Sequence, residues 1–549
     1  MADTLTVDVV DPSLAADVAS MAAALAEERV ASRIASGDAT LWGEEAESEA
    51  RIRLGWTALH ETSRPLLAEI DALAAELRAE GVSRVVLAGM GGSSLAPEVI
   101  CATAGVPLVT LDTTDPGQVR DALAGDLRRT VLVVSSKSGS TVETDSHRRV
   151  FEAAFTAAGI DAASRIVVVT DPGSPFEKLA REAGYRRVFT ADPNVGGRYS
   201  ALTAFGLVPS GLAGVDVAEL LDDAAAAAAG LTRDDPDNPG LRLGCAFAAA
   251  HGRGAEKVVI TDTGSRITGF GDWAEQLVAE STGKDGTGLL PVVVEGLDAP
   301  GFADARSDAT PVTIGPAGGA AKVGTDGPLG ALFLLWEYAT VVAGRLLGIN
   351  PFDQPDVEAA KKAARALLDA PGDGADGADG DGRAAPAFTD GAIEVYGVDL
   401  PEGTRTVGEA LAALLSVTPD HGYLAVQAYL DRIEDASAVV LRAELARRTG
   451  VQTTFGWGPR FLHSTGQYHK GGHPNGAFLQ VTGVVDEDLE VPDRPYTFGE
   501  LQHAQAVGDG QVLAGRGRPV LRLHLTDRPA GLVELVRAVQ AVEPVRPAR

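Results

Sequence analysis

Two short stretches concentrate small hydrogen-bond donors where a strand-like run gives way to helical spacing. In "TVLVVSSKSGSTVETDSHRRVF", residues 130–151, the apolar run passes into Ser135, Ser136, Lys137, Ser138, Gly139, Ser140 and Thr141 without a break. Backbone N–H groups and hydroxyls in such a turn converge on a helix N-terminus, where the dipole and unpaired donors favour an anion. Capping the helix would account for one hydroxyl. The hydroxyls of Ser136, Ser138, Ser140 and Thr141, with Lys137 beside them, point to a bound phosphate. A second turn, "VVLAGMGGSSLAPEVI", carries Gly89, Gly91, Gly92, Ser93 and Ser94. Taken alone it fits a dinucleotide fingerprint, with Asp112 closing the next strand about 20 residues on. It fits equally a tight turn that needs glycine for its backbone angles. A third stretch, "RFLHSTGQYHKGGHPNG", gathers His463, His469 and His473 among glycines and polar residues, as an ordered loop at a site would. Clustered imidazoles can hold zinc, but no cysteine or carboxylate lies within the stretch, so no metal is expected.

The elements that must position these turns follow from periodicity. Residues 10–80 place apolar residues at three- and four-residue spacing, as in "TSRPLLAEIDALAAELRAEG", and predict a helical region over 1–80. From Ser83 onward short β-rich runs, "RVVLAGM", "VPLVTLD", "TVLVVSS", "RIVVVTD" and "RRVFT", alternate for the most part with helical patterns. That grammar predicts a parallel sheet flanked by helices over 81–215. A weaker set over 216–369 predicts a second α/β domain: helices near 237–253 and 271–282, strands at 257–262 and 289–296, and a long apolar helix near 328–347. The run Ala224 to Ala229 is helix-compatible low complexity. Residues 370–388, "APGDGADGADGDGRAAPAF", cannot bury a core and read as a flexible linker; they lack the spaced ligands of a calcium loop. Residues 389–549 are expected to form an α+β region, with a strand in "AIEVYGVD", a helical "GYLAVQAYLDRIEDASAVVLRAELARRTG" and a helical tail from Pro529.

Bulk properties narrow the partners. A chain of 549 residues needs two or three domains, and its 45% apolar content is ample to bury them. The formal net charge of −29 argues against nucleic acid, yet a few local donors can still outweigh a diffuse field for a small anion. No run approaches the ~18 uninterrupted apolar residues of a membrane span. The acidic opening "MADTLTVDVVDPSL" lacks a signal peptide's basic and apolar parts, and Cys101 and Cys245 are the only cysteines. A cytoplasmic location is therefore expected.

"GGSSLAP" followed by "SSKSGSTVET" resembles the sugar isomerase (SIS) domain, which binds phosphosugars by a serine/threonine loop of this kind. "VGGRYSALTAFG" (195–206), "EQLVAESTGKDGTGLLP" (275–291) and "GINPFDQPDVEAAKKAA" (348–364) resemble the signatures of the glucose-6-phosphate isomerase family, in that family's order. The resemblance runs from about residue 50 to residue 365 and implies two SIS-type domains with parallel sheets flanked by helices. It implies aldose–ketose isomerisation through a cis-enediol, with no metal or other cofactor, in a homodimer. Such chemistry requires one base near both carbons, a cation for the enediolate, and groups that open the sugar ring.

By the same resemblance, Glu280 is the base and Gln276, one turn earlier, contacts substrate. Arg198 stabilises the enediolate with a planar fork suited to two oxygens. Gln354 binds substrate and Lys361 assists at the ring, with Lys362 as the competing register. Gly92, Ser93, Ser136, Lys137, Ser138 and Thr141 contact substrate and phosphate. The family's ring-opening histidine comes from a neighbouring subunit and falls between the glutamate and lysine motifs, but this chain has no histidine between His251 and His421. Either ring opening relies on other groups or a histidine of the third region serves; of His463, His469 and His473, the expectation falls on His463, in the compact "LHSTGQ". The arrangement is also similar to the isomerase half of fused transaldolase/glucose-6-phosphate isomerase proteins; residues 1–80 are too short for the transaldolase barrel, so that activity is not expected. Two other functions fit parts of the pattern: a broader isomerase also taking mannose 6-phosphate, and a sugar-phosphate-binding regulator, against which Glu280 and Arg198 weigh.

Overall fold

A computed structural model describes residues 5–369, 378–379, 383–397 and 400–543, so most of the Asp/Gly-rich stretch 370–388 lies outside the described residues. The first sheet holds Val109–Leu111, Arg84–Gly89, Thr130–Ser135, Ile166–Thr170 and Arg187–Thr190 in that spatial order, all parallel. Its central strands are buried along nearly their whole length, which is why they read as unbroken Val/Leu/Ile runs. Strand order reverses between Arg84–Gly89 and Thr130–Ser135, because the strand that follows the first in the chain lies on its other side.

The second sheet orders Thr6–Val9, Val323–Asp326, Ala309–Ile314, Lys257–Asp262 and Leu290–Val293. Its first strand comes from the N-terminal region, pairs antiparallel with Val323–Asp326, and is followed by helix Pro12–Glu27, which packs on helix Pro239–Gly252. The expected all-helical N-terminal region therefore contains a strand, too short at four residues to show a period. One core joins the N-terminal helices to both sheets. Helix Leu329–Leu347 runs through it; by length and composition it could cross a membrane, but 89% of it is buried inside the protein.

The third region builds a six-stranded sheet ordered Phe388–Asp390, Ile393–Tyr396, Val520–Leu525, Gly476–Gly483, Tyr423–Tyr429, Gln452–Trp457. The last four are parallel and the first two antiparallel, so helices and strands alternate through most of it. The helical reading of 422–450 holds only for Val440–Thr449; Tyr423–Tyr429 is a strand buried at every residue. A central strand with both faces covered has no polar face, so "YLAVQAY" offers neither period. Helix Arg528–Ala541 matches the expected helical tail.

Candidate active site

A cleft with about 860 Å³ of empty space, partly open to solvent, lies at the carboxyl ends of Arg84–Gly89 and Thr130–Ser135. That is the point of strand-order reversal, where open α/β sheets leave a crevice. The two donor-rich turns form one wall. In the first, Gly91 adopts φ +56°, and a Cβ on Gly92 would sit 1.9 Å from the Gly197 carbonyl oxygen, so only glycine admits the neighbouring turn. Gly92 and Ser93 both line the cleft.

In the second turn Thr141 is the N-cap of helix Val142–Ala157 but makes no capping bond, so its hydroxyl is left for the cleft. Ser136 Oγ accepts the Gly139 N–H at 3.1 Å and lies 3.4 Å from Thr141 Oγ1. Lys137 lines the cleft while holding Asp171 at 2.9 Å and the Val195 carbonyl at 2.8 Å; burial nonetheless raises the Asp171 carboxyl. Ser138 differs from expectation. It is exposed, bonds Ser140 at 2.6 Å, and does not line the cleft. Ser135, the last strand residue, does line it, with a buried hydroxyl that has no partner among the described residues.

The opposite wall comes from helix Phe270–Thr282. Gln276 Nε2 donates to Glu280 Oε2 at 3.0 Å and to the His463 carbonyl at 2.8 Å, leaving its own buried Oε1 without a partner among the described residues. A buried acceptor without a partner costs free energy unless a ligand donor meets it. Arg198 is buried and its fork is almost saturated. Nε donates to Ser281 at 2.8 Å, Nη1 to Gln354 at 2.6 Å, and Nη2 to the carbonyls of Pro351 and Asp353. With a further N–H on Nη1, the guanidinium stands 3.8 Å from Glu280 Oε1.

The third region closes the cleft. Its turn Arg460–His463 sets His463 into the lining, 3.1 Å from Glu143 Oε1. Glu143 also accepts from Gln505 at 2.6 Å. Burial pushes this carboxyl up, but the charge and hydrogen bond of His463, with help from Lys361, hold it at about 2. Lys361 lines the cleft and bonds Glu358 at 2.9 Å, whereas Lys362 is exposed outside the lining, so of the two registers the fold brings Lys361 to the cleft. His469 is buried against Tyr423, with its imidazole driven well below its ordinary range by burial, and His473 bonds Glu256 at 2.8 Å. Neither lines the cleft, and among the described residues no group of three or more His, Cys, Asp or Glu could hold a metal ion.

The sequence reading did not single out Glu143, Gln505 or Ser135. Glu143 stands in "STVET", the second residue of the helix that follows the donor-rich loop. Its significance depends on a histidine 320 residues away, which no local pattern reveals.

No protein-family model matches the chain. It is 30% identical over 409 residues to a probable glucose-6-phosphate isomerase of Natronomonas pharaonis, across 65% of this chain and 94% of that protein. It is 32% identical over 353 residues to a probable glucose-6-phosphate isomerase of Haloarcula marismortui, across 54% and 80%. Among solved structures, a hypothetical protein of Thermus thermophilus superposes with a TM-score of 0.58 at 25% identity, covering 67% of this chain and all of that one. A glucose-6-phosphate isomerase of Chlamydia trachomatis superposes at 0.51 with 22% identity, covering 66% and 86%, and supports the fold.

Proposed function

The chain belongs to the glucose-6-phosphate isomerase family, and on that premise we propose how its cleft interconverts glucose 6-phosphate and fructose 6-phosphate. The observation that carries the mechanism is the meeting of Glu280, Gln276 and Arg198 in one cleft with the hydroxyls of Ser136 and Thr141. The phosphate sits against Ser136, Thr141 and Lys137 at the helix N-terminus, with Gly92 and Ser93 alongside. That anchors the far end of the sugar and presents C1 and C2 to Glu280.

Glu280 takes the proton from one carbon and returns it to the other. Its neighbour Gln276 holds one carboxylate oxygen, leaving the other free to move the proton. Negative charge then develops on the enediolate oxygens, and the N–H of Arg198 Nη1 not spent on Gln354 meets it. A guanidinium fixed by four bonds costs no reorganisation when that charge appears. His463, held by Glu143, transfers the ring-opening proton, and Lys361 stands on the same side of the cleft. Gln354 shares the Arg198 fork and contacts a sugar hydroxyl. Ser138, exposed and paired to Ser140, supports the turn from outside.

All of these groups belong to one chain. A homodimer, expected from the resemblance, would therefore join two complete sites. A cytoplasmic location fits the two free, buried cysteines, whose thiols burial pushes up to about 12. The test is isomerisation of fructose 6-phosphate in deuterated water by wild type and Glu280→Gln. The variant should lose both turnover and carbon-bound deuterium. Label incorporation at the wild-type rate would remove Glu280 from the proton transfer.

A further inference from the structure

We propose that Lys284 is a positioning residue for the isomerisation: by gripping the turn 350–353 it sets the place of Gln354 and of the Arg198 fork. The inference rests on the assignment of the cleft as an isomerase site. Lys284 lies two residues beyond helix Phe270–Thr282, which carries Gln276 and Glu280, and it is 1% exposed. Its Nζ donates to the Asn350 carbonyl, the Asp353 carbonyl and Asp353 Oδ1, each at 2.7 Å. All three ammonium protons are thereby used on one turn of chain.

That turn also receives Arg198. The Asp353 carbonyl accepts from both Lys284 Nζ and Arg198 Nη2, the latter at 3.0 Å, and the neighbouring Pro351 carbonyl accepts Nη2 at 2.8 Å. The next residue, Gln354, takes Nη1 at 2.6 Å. Tyr199 adds a bond from its hydroxyl to the Pro351 carbonyl at 3.2 Å. The turn is thus a row of carbonyl oxygens held between two buried cations from different elements. Removing the lysine would leave the Asn350 carbonyl and Asp353 Oδ1 without this donor and the Asp353 carbonyl with Arg198 alone, and free the turn to move, taking with it the acceptors that aim Arg198. Lys284 is not part of the cleft lining, so it acts through its neighbours.

Charge matters to this arrangement as well as shape. A neutral amine would donate two protons to three acceptors. The charged groups facing Lys284 are Arg198 from the turn Gly197–Tyr199, Asp353 from the gripped turn, and Glu280 from the preceding helix Phe270–Thr282. Burial, with the Arg198 charge beside it, draws the ammonium down to about 8, against Asp353 and Glu280. The grip therefore loosens as the pH rises through about 8. Replacing Asp353 by Asn removes a group that favours the ammonium, so the loosening should begin at lower pH.

The experiment is a pH profile of kcat/KM for fructose 6-phosphate from about pH 6 to about pH 10 with wild type, Lys284→Met and Asp353→Asn. In Lys284→Met, kcat/KM should fall about a hundredfold, the scale of a misplacement near 1 Å, and the fall above about pH 8 should vanish. In Asp353→Asn that fall should start at lower pH than in wild type. A folded Lys284→Met with wild-type kcat/KM, or an unmoved alkaline fall in Asp353→Asn, overturns the proposal. If Lys284→Met does not fold, the Asp353→Asn profile alone decides. Wild type that turns over no fructose 6-phosphate would instead overturn the isomerase assignment.

Discussion

Replacing Glu143 by Gln keeps the side chain's shape and removes only its charge. Glu143 Oε1 accepts N–H groups from His463 at 3.1 Å and from Gln505 at 2.6 Å, and an amide oxygen in the same position keeps both bonds. What is lost can be sized. Burial favours the neutral acid here, yet the His463 charge and hydrogen bond and the Lys361 charge hold the carboxyl at about 2, against an ordinary 4.5. That difference is about 3 kcal/mol of preference for the charged form. Applied at ring opening, where the imidazole must gain and give up a proton, it sets a loss of about tenfold to about a hundredfold. The assay compares fructose 6-phosphate with 5-deoxyfructose 6-phosphate, which lacks the ring hydroxyl and stays open. Turnover of the first should fall by that factor, while the second stays within about twofold of wild type. Equal losses on both substrates would refute the ring-opening role and leave Glu143 a structural residue. Stability gives a second readout. The folded carboxyl titrates below its unfolded counterpart, so its contribution is present above about pH 4.5 and is lost as the pH falls towards about 2. Wild type should therefore lose more stability than Glu143→Gln between about pH 5 and about pH 3 in urea titrations.

Glu280→Gln and His463→Ala, each inactive alone, should regain no turnover when co-expressed, because each site draws both residues from one chain; recovery towards a quarter of wild-type activity would mean that sites are shared between chains. Thr141→Val should raise KM for fructose 6-phosphate about tenfold and leave kcat near wild type, as expected for a contact made equally before and in the transition state; steady-state kinetics reads both. Arg460→Leu should destabilise the protein by about 3 kcal/mol in urea unfolding, since it takes from Glu98 and the buried Asp112 the nearer of the two arginines they share and leaves Arg432 alone, 4.0 Å from Asp112.

The fold was legible where burial writes itself into composition. Thr130–Ser135 and Ile166–Thr170 read as strands because both faces are covered and every residue must be apolar or small. Ala309–Ile314 escaped notice because Pro311 stands within it, as a strand interior seldom permits. Tyr423–Tyr429 read as helix because alanine, leucine and glutamine fit one. Its strand state comes from pairing with Gln452–Trp457 and Gly476–Gly483, partners that only tertiary structure supplies. The site divides along the same line. Thr141, Glu280 and Lys361 stand in motifs a few residues long, and the fold brings all three to one cleft. Ser138 has the same chemistry as its neighbours but points away, since one residue of rotation in a turn decides which hydroxyl faces inward. Glu143 and Gln505 acquire meaning only once residues from three parts of the chain converge on His463.

That convergence bears on why the third region exists. It does more than deliver one histidine. Gln467 donates to the Gly283 carbonyl and to Asp356, and accepts the Asp356 N–H, so it ties the end of the Glu280 helix to the start of the Lys361 helix. Arg516 adds a third bond at Asp356, and helix Phe498–Gly515 packs along Val357–Asp369, the helix that carries Lys361. Arg460 and Arg432 meanwhile hold Glu98 of the first domain, and Arg442 holds Glu295 of the second. Groups joined by covalent chain meet at an effective concentration set by geometry, independent of how much protein is present. Residues 400–543 therefore fix the spacing between the hydroxyl wall, helix Phe270–Thr282 and Lys361 at any dilution. Deleting them would strip the cleft of its histidine and leave Asp112 a buried carboxylate without its cation. A truncation ending at residue 388 should consequently accumulate as aggregated chain in place of a smaller isomerase.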